Sequence, residues 1–281
     1  MSVLGELLAA CVAAPADDAS RTVWADAIGG DRGELVAVQL RLARGASLAA
    51  DEHAALRDRE RALLAAHGPT WAGLAAFPDI TRATFRRGFV EAIEIDAAAF
   101  ATHADAIIAT APFIRELAVT GLLGEHMDEV QVRRATAIVP AVAAHGITGL
   151  VLGPCGARPV VPGRAAGFDS SLPFTLHALA QAGALEELRT LGAQGFDSIA
   201  ATELLAAPAR IADLARLSLS YDASELGAVR ALLHHLPRLR AFSFHANHDP
   251  ALLVADLPAG CALQHRAQAA GEPDAASVAL R

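Results

Sequence analysis

The stretch Leu214-Ala215-Arg216-Leu217-Ser218-Leu219 reads apolar-x-x-apolar-x-apolar. Five other segments follow the same frame. They are Val90-Ile93-Ile95, Ile114-Leu117-Val119, Ile147-Leu150-Leu152, Leu185-Leu188 with Thr190 in the third apolar place, and Leu239-Phe242-Phe244. In chain order their first residues lie 24, 33, 38, 29 and 25 residues apart. The last two positions of the frame are two residues apart, the period of a strand with one face buried. The spacing leaves room for a return helix in each unit.

Unit lengths of this kind are those of an imperfect leucine-rich repeat, in which one strand and one helix stack on the next pair. The expected fold class is therefore α/β: an irregular leucine-rich-repeat solenoid with a parallel sheet. It holds about six strand–helix units. Strands are expected at Val90–Ile95, Ile114–Val119, Ile147–Leu152, Leu185–Leu191, Leu214–Leu219 and Leu239–Phe244, with Cys261-Ala262-Leu263 as a last edge strand. Helices are expected over Ala97–Thr110, Met127–Ala144, Leu172–Ala182, Ile199–Leu205 and Ser224–His235, the last with Ser224 as N-cap.

Upstream of residue 85 the period changes to that of helices. Val3, Leu4, Leu7, Leu8 and Cys11 share a helical face, and Asp17 or Asp18 suits the N-cap of a second helix ending at Ile28. A third runs from Gly33 to about Ala43, and a fourth from about Leu48 to His67 before Gly68-Pro69 breaks it. The domains expected are thus 1–84, an all-helical cap over the first strand's open edge; 85–265, the repeats; and 266–281, a small, polar, frayed tail.

The run Asp17-Asp18-x-x-Arg21-x-x-Trp24-Ala25-Asp26, followed by Gly30-Asp31-Arg32-Gly33-Glu34-Leu35 and Gln39-Leu40, resembles the repeat-companion domain of bacterial leucine-rich-repeat proteins. Phe85-Arg86-Arg87-Gly88-Phe89-Val90-Glu91 resembles the junction from which such proteins enter their repeats. The likeness covers roughly residues 4–120. It departs at Ala27-Ile28, where that family shows Trp-Leu, and in a shorter link to Gly30. The resemblance implies the helical-cap-plus-repeat architecture. Asp26, Asp31, Arg32, Glu34 and Arg21 are expected to cap and pair with one another, fixing the helix angles.

All 23 basic residues are arginine, against 31 acids, for a net charge of −8. Residues 1–88 carry 11 acids and 10 arginines, so the excess negative charge belongs to the repeat region. That field opposes a nucleic-acid partner. Cys11, Cys155 and Cys261 lie far apart with no CxxC spacing, which points to reduced thiols in the cytoplasm. No signal peptide or membrane span is expected. No GxSxG, P-loop, GxGxxG or HExxH motif is present.

Positions between the buried leucines would line the concave face of the sheet. They are Glu94, Asp96, Glu116, Thr120, Glu187, Arg189, Arg216, Ser218, Ser220, Ser243 and His245, with Tyr221 at the rim. Glu187 is expected beside Arg216, and Ser218 beside Ser243. The expected function is a non-catalytic interaction module that binds a partner protein on this face and on the Gly153–Ser171 loop, with no cofactor and no metal. Two further readings stand beside it. One is a hydrolase or metal-dependent enzyme using His245, His248 and Asp249, or Cys155. The other is a cargo-like component docking through Ala270–Arg281. Cys155 and Asn247 are read as turn-packing residues.

Overall fold

The computed structural model describes residues 2–45, 48–122, 132, 133, 136–153, 172–246 and 248–265, and the backbone of 277–279. Cys155, Asn247, the loop after Gly153 and the tail apart from 277–279 lie outside the described residues. The chain divides into two compact units. The first comprises Met1–Ile93, Asp105–Ile114 and Glu272–Arg281; the second comprises Glu94–Ala104 and Arg115–Gly271.

The first unit opens with α1 (Val3–Ala13), α2 (Asp18–Ile28), α3 (Gly30–Ala43) and α4 (Ala50–Ala72). Ser2 caps α1, and Asp17 rather than Asp18 caps α2, accepting from the backbone N–H groups of Ala19 and Ser20. Gly29, at φ 61°, ends α2 and starts α3. Gly33 lets these helices close up, because a Cβ there would strike the carbonyl oxygen of Ala25. Helix α4 does not stop at Gly68-Pro69 but continues to Ala72. Proline leaves one N–H out of the ladder, and the extra turn buries Ala72 and stacks Trp71 on His67 at 4.7 Å.

The first unit is not all helix. Ile80–Arg86 forms β1, and β2 (Phe89–Asp96) follows and runs on into the second unit. Ile80, Ala83 and Phe85 are buried. The turn between the strands places Arg87 at φ 49° and Gly88 at φ 90°, the left-handed pair that tight hairpins favour. Three residues of the tail are paired as well. Strand β9 (Ser277–Ala279) pairs antiparallel with β1, Arg82 opposite Ala279 and Thr84 opposite Ser277.

Two polar side chains from the helices hold the hairpin. Arg21, fully buried, donates to the carbonyls of Pro15, Arg86 and Arg87 and meets the Glu91 carboxylate at 2.9 Å. Its guanidinium lies over the rings of Phe89 and Phe113. Gln39 donates to Glu60 and to the carbonyl of Phe85, and accepts from the Gly88 N–H at 2.6 Å. Both residues belong to the stretch that carries the family resemblance, and both are structural. Around them Cys11, Trp24, Ala25, Val36, Leu40, Phe89 and Phe113 form one apolar cluster.

The second unit begins with the end of β2 and the start of α5 (Ala97–Thr110), whose first turn is capped by Asp96. It then builds β3 (Glu116–Thr120), α6 (Val139–Ala144), β4 (Gly149–Leu152), α7 (Leu172–Gln181), α8 (Ala184–Glu187), β5 (Thr190–Phe196) and α9 (Ser198–Leu205). After these come β6 (Arg216–Tyr221), α10 (Leu226–Leu233), β7 (Ala241–His245), α11 (Ala251–Val254) and β8 (Ala262–His265). Strands β3 to β8 are parallel and lie side by side in chain order. Asp222, not Ser224, caps the turn leading into α10.

Register aligns the apolar residues of successive strands in rows. Leu117, Leu150, Leu191, Leu217, Phe242 and Leu263 are successive partners across the sheet. Val119, Leu152, Ala193, Leu219 and Phe244 form a second row. Both rows are buried except at Leu263. The fourth unit therefore begins at Leu188, three residues later than the sequence reading placed it. Leu185 belongs to α8 instead.

The backbone repeats this frame independently of the leucines. The carbonyls of Arg115, Thr148, Arg189 and Ala215 each accept two successive N–H groups at the start of the next strand. That of Arg240 accepts the N–H of Ala262.

At the far end of the unit, the buried Asp256 carboxylate meets Arg230 at 2.6 Å and His234 at 3.2 Å. The hydrogen bond from Arg230 chiefly holds this carboxyl below its ordinary 3.8. A depressed carboxylate stabilises the fold above its unfolded value and loses that contribution as pH falls through the folded one. Asp256→Asn is therefore expected to lower the urea midpoint at neutral pH and to flatten its decline below 3.8. Denaturation series at several pH values check this; parallel acid limbs in the two proteins would contradict it.

Candidate functional site

In β6 the even-numbered residues face away from the buried leucines, and the pattern runs from exposed Arg216 through half-buried Ser218 and Ser220. The register extends this face laterally. Thr190 stands beside Arg216, Gly192 beside Ser218 and Gln194 beside Ser220. Ala241, Ser243 and His245 flank the other side. Glu116 and Ala118 occupy the same rows on β3, with Gly149 and Val151 next to them.

Three glycines make the β3–β5 part of this face flat. The Glu116 side chain lies where a Cβ on Gly149 would sit, Val151 does so at Gly192, and Gln194 does so at Gly153. Each longer side chain leans sideways over its bare neighbour. Across β6 and β7 the residues are serine, alanine, one histidine and Arg216. The result is a low surface with Arg216 as its exposed cation, bounded at one end by Glu116. Ser243 is itself buried.

The structure brings Arg216, Ser218, Ser220, Ser243 and His245 onto one face, and Ser218 beside Ser243 as expected. Glu116 lies in the Arg216 row, and half-buried Glu94 lies on the part of β2 that belongs to this unit. Glu187 and Arg189 are not on the face. Glu187 is exposed on α8, and Arg189 precedes β5, hydrogen-bonding the carbonyls of Glu186 and Leu188. Arg189 also approaches Asp213, which Arg238 pairs at 2.7 Å. Glu187 therefore has no lateral relation to Arg216; Thr190 takes that place. The mistake came from Leu185-Leu188, which imitates the first two apolar places of the frame. The missed residues Thr190, Gly192 and Gln194 were recoverable by starting at Leu188, which puts Leu191 and Ala193 in the apolar places.

Tyr221 is not at a rim. It shares the odd parity of Leu217 and Leu219, so it points into the apolar layer and is 6% exposed. Its hydroxyl is hydrogen-bonded to His248 Nε2 at 2.7 Å. Burial pushes the phenol well above its ordinary range. Phe244 stacks on His248 at 5.1 Å and tilts against Tyr221 and His265. The Asp249 carboxylate accepts the N–H of Ala251, opening α11. His245, His248 and Asp249 do not converge on one point: His248 bonds Tyr221 through Nε2 and the Asp249 backbone carbonyl through Nδ1, the Asp249 carboxylate takes the N–H of Ala251, and His245 stands on the sheet face.

Among the described residues, no three His, Cys, Asp or Glu side chains are grouped to hold a metal ion. The Cys11 and Cys261 thiols are both raised by burial. A shallow cleft of about 350 Å³ is lined by Glu186, Ala209, Arg210 and Asp213, where Arg210 faces Glu186 at 3.5 Å. No described helix is long and apolar enough to cross a membrane. No protein-family model, curated protein or solved structure matches the chain.

Proposed function

We propose that this chain is a non-catalytic interaction module of the leucine-rich-repeat type, with a repeat-companion-like N-terminal unit, acting in the cytoplasm. It binds a protein partner on the outward sheet face of β5, β6 and β7. The supporting observation is the in-register array Thr190–Arg216–Ala241, Gly192–Ser218–Ser243 and Gln194–Ser220–His245. A flat surface of small side chains with a single exposed arginine suits close approach of another protein, in which one desolvated arginine supplies much of the binding energy. The acidic balance of the chain disfavours a phosphate backbone as the partner.

The reading is tested by blocking the face without touching the core. Ser218→Arg and Arg216→Glu together are expected to abolish recovery of a partner that co-purifies with the wild-type protein. Ile199→Ser, on the exposed side of α9, leaves recovery unchanged. Quantitative mass spectrometry of parallel captures provides the measurement. Equal partner recovery by the blocked and wild-type proteins, both shown folded by circular dichroism, would remove this face from consideration.

A further inference from the structure

The first unit contains an arginine whose surroundings differ from those of its neighbours. Arg32 lies in the first turn of α3 with its guanidinium carbon 5.0 Å from the ring centre of Trp71, 5.5 Å from Phe85, and 5.8 Å from both Trp24 and Phe89. Nearby charges are already committed. Asp31 meets His67 at 2.8 Å, and Glu34 holds Arg59 through two oxygens. Arg59 also reaches Asp31 at 4.0 Å. Among the described residues no carboxylate, carbonyl or hydroxyl pairs with Arg32, and its buried Nη1 has no hydrogen-bond partner. Burial alone pushes this guanidinium down to about 10, with no anion offsetting it.

Aromatic faces compensate a cation only partly, and they supply no hydrogen-bond acceptors in its plane. Arg21 also keeps one buried nitrogen, Nε, unpaired, but it has a carboxylate and three carbonyls at the other two, whereas Arg32 has none. Arg32 is half-buried, and of its three nitrogens only Nη1 is both sealed from solvent and unpaired. Its Nε–Nη2 edge therefore reaches solvent. That edge is the side-on fork that takes the two oxygens of a carboxylate.

We propose that the aromatic-caged Arg32 is a binding site for a carboxylate group, taken on its Nε–Nη2 edge beside Trp71. The ligand is a free carboxylic acid or the terminal carboxylate of a peptide. Two parallel N–H···O bonds would form at a cation that the described residues leave without a counter-ion, with Trp71 offering a half-buried ring to whatever carries the carboxylate. The site lies in the first unit and rests on different residues from the proposed sheet-face interface, so either can fail without the other.

The chain has two tryptophans, and both face Arg32, so tryptophan emission reports on this site. The probes are acetate, N-acetyl-glycyl-phenylalanine and the C-terminal amide of that dipeptide, with sodium chloride at matched ionic strength. Acetate and the free-acid dipeptide are expected to change emission saturably, and the amide to bind at least about tenfold more weakly. Tighter binding of the dipeptide than of acetate assigns the site to a chain terminus; the reverse assigns it to a free acid. Arg32→Met, which keeps an apolar side chain in the cage, is expected to abolish the response. Arg32→Lys keeps the charge but not the fork, and is expected to weaken the response about tenfold or more. The proposal is overturned if the amide matches the acid, if chloride reproduces the change, if inorganic phosphate binds more tightly than either carboxylate, or if folded Arg32→Met responds like wild type. Should Arg32→Met fail to fold, the acid-against-amide comparison on the unaltered chain still decides.

Discussion

Replacing Arg21 by methionine is expected to destabilise the first unit by about 3–5 kcal/mol, the usual consequence of removing one partner from a buried ion pair. The change leaves Glu91, itself mostly buried, without its closest cation at 2.9 Å. It also leaves the carbonyls of Pro15, Arg86 and Arg87 without the donor that ties them to α2. Methionine fills the space between the aromatic rings but donates nothing, so the loss is chiefly one of unsatisfied polar groups. Arg87 also contacts Glu91, at 3.0 Å, and retains part of the compensation. Glu91→Gln is therefore expected to cost less than Arg21→Met. Denaturant unfolding followed by tryptophan emission reads this unit directly, since Trp24 and Trp71 both belong to it. A loss below about 1 kcal/mol, the range of an ordinary surface change, would show that the hairpin does not depend on this arginine.

Phe244→Ala should have a comparable effect in the second unit, about 3–5 kcal/mol, as for other fully buried aromatic side chains. Phe244 is 1% exposed and lies in the buried row with Leu219. It also touches the rings of Tyr221, Phe242, His248 and His265. Removing it opens a cavity beneath the Tyr221–His248 hydrogen bond as well as losing its own burial. Phe244→Leu restores most of the volume without the ring contacts and should recover more than half of the loss. Calorimetry gives the total, and amide hydrogen exchange in β6, β7 and β8 locates it. Unchanged exchange in β6 would refute the idea that this side chain couples neighbouring strands.

The α/β class with a parallel sheet was legible because the apolar frame has one period and the strands have one register. Leu214-x-x-Leu217-x-Leu219 could be extended to Leu239-x-x-Phe242-x-Phe244 by pattern alone, and the pairing of Leu217 with Phe242 agrees. The frame failed where two apolar patterns overlap. Leu185 and Leu188 are three apart, as the frame requires and as a helical face also requires. Only the next apolar pair, Leu191 and Ala193, distinguishes the two possibilities, and alanine is too common in this chain to attract notice.

Strand β1 was missed for another reason. Thr81, Arg82, Thr84 and Arg86 dilute its apolar residues, and its partner β9 comes from the far end of the chain. No local pattern encodes a pairing at that separation. The break expected at Gly68-Pro69 overweighted a local breaker against the burial gained downstream. On the candidate face, parity was readable for Ser218, Ser220 and Ser243. Tyr221 stands at the exit of its strand, which suggests a rim position, but its odd place in the frame assigns it inward. Arg32 could not have been distinguished from Arg21 by sequence, since both sit among acids and only tertiary packing decides which of them receives one.

The doubled hydrogen bonds at the strand starts give the second unit a direction. Each accepting carbonyl belongs to the residue just before one strand, and its two donors are the residue just before the next strand and that strand's first residue, from Arg115 onward to Ala215. The start of each strand is thus fixed on the residue that opens the strand before it. A chain built in this way can acquire order in the same sense in which it is synthesised, each newly emerged strand docking on an edge already fixed. The order of the strands across the sheet would then record the order in which they were made.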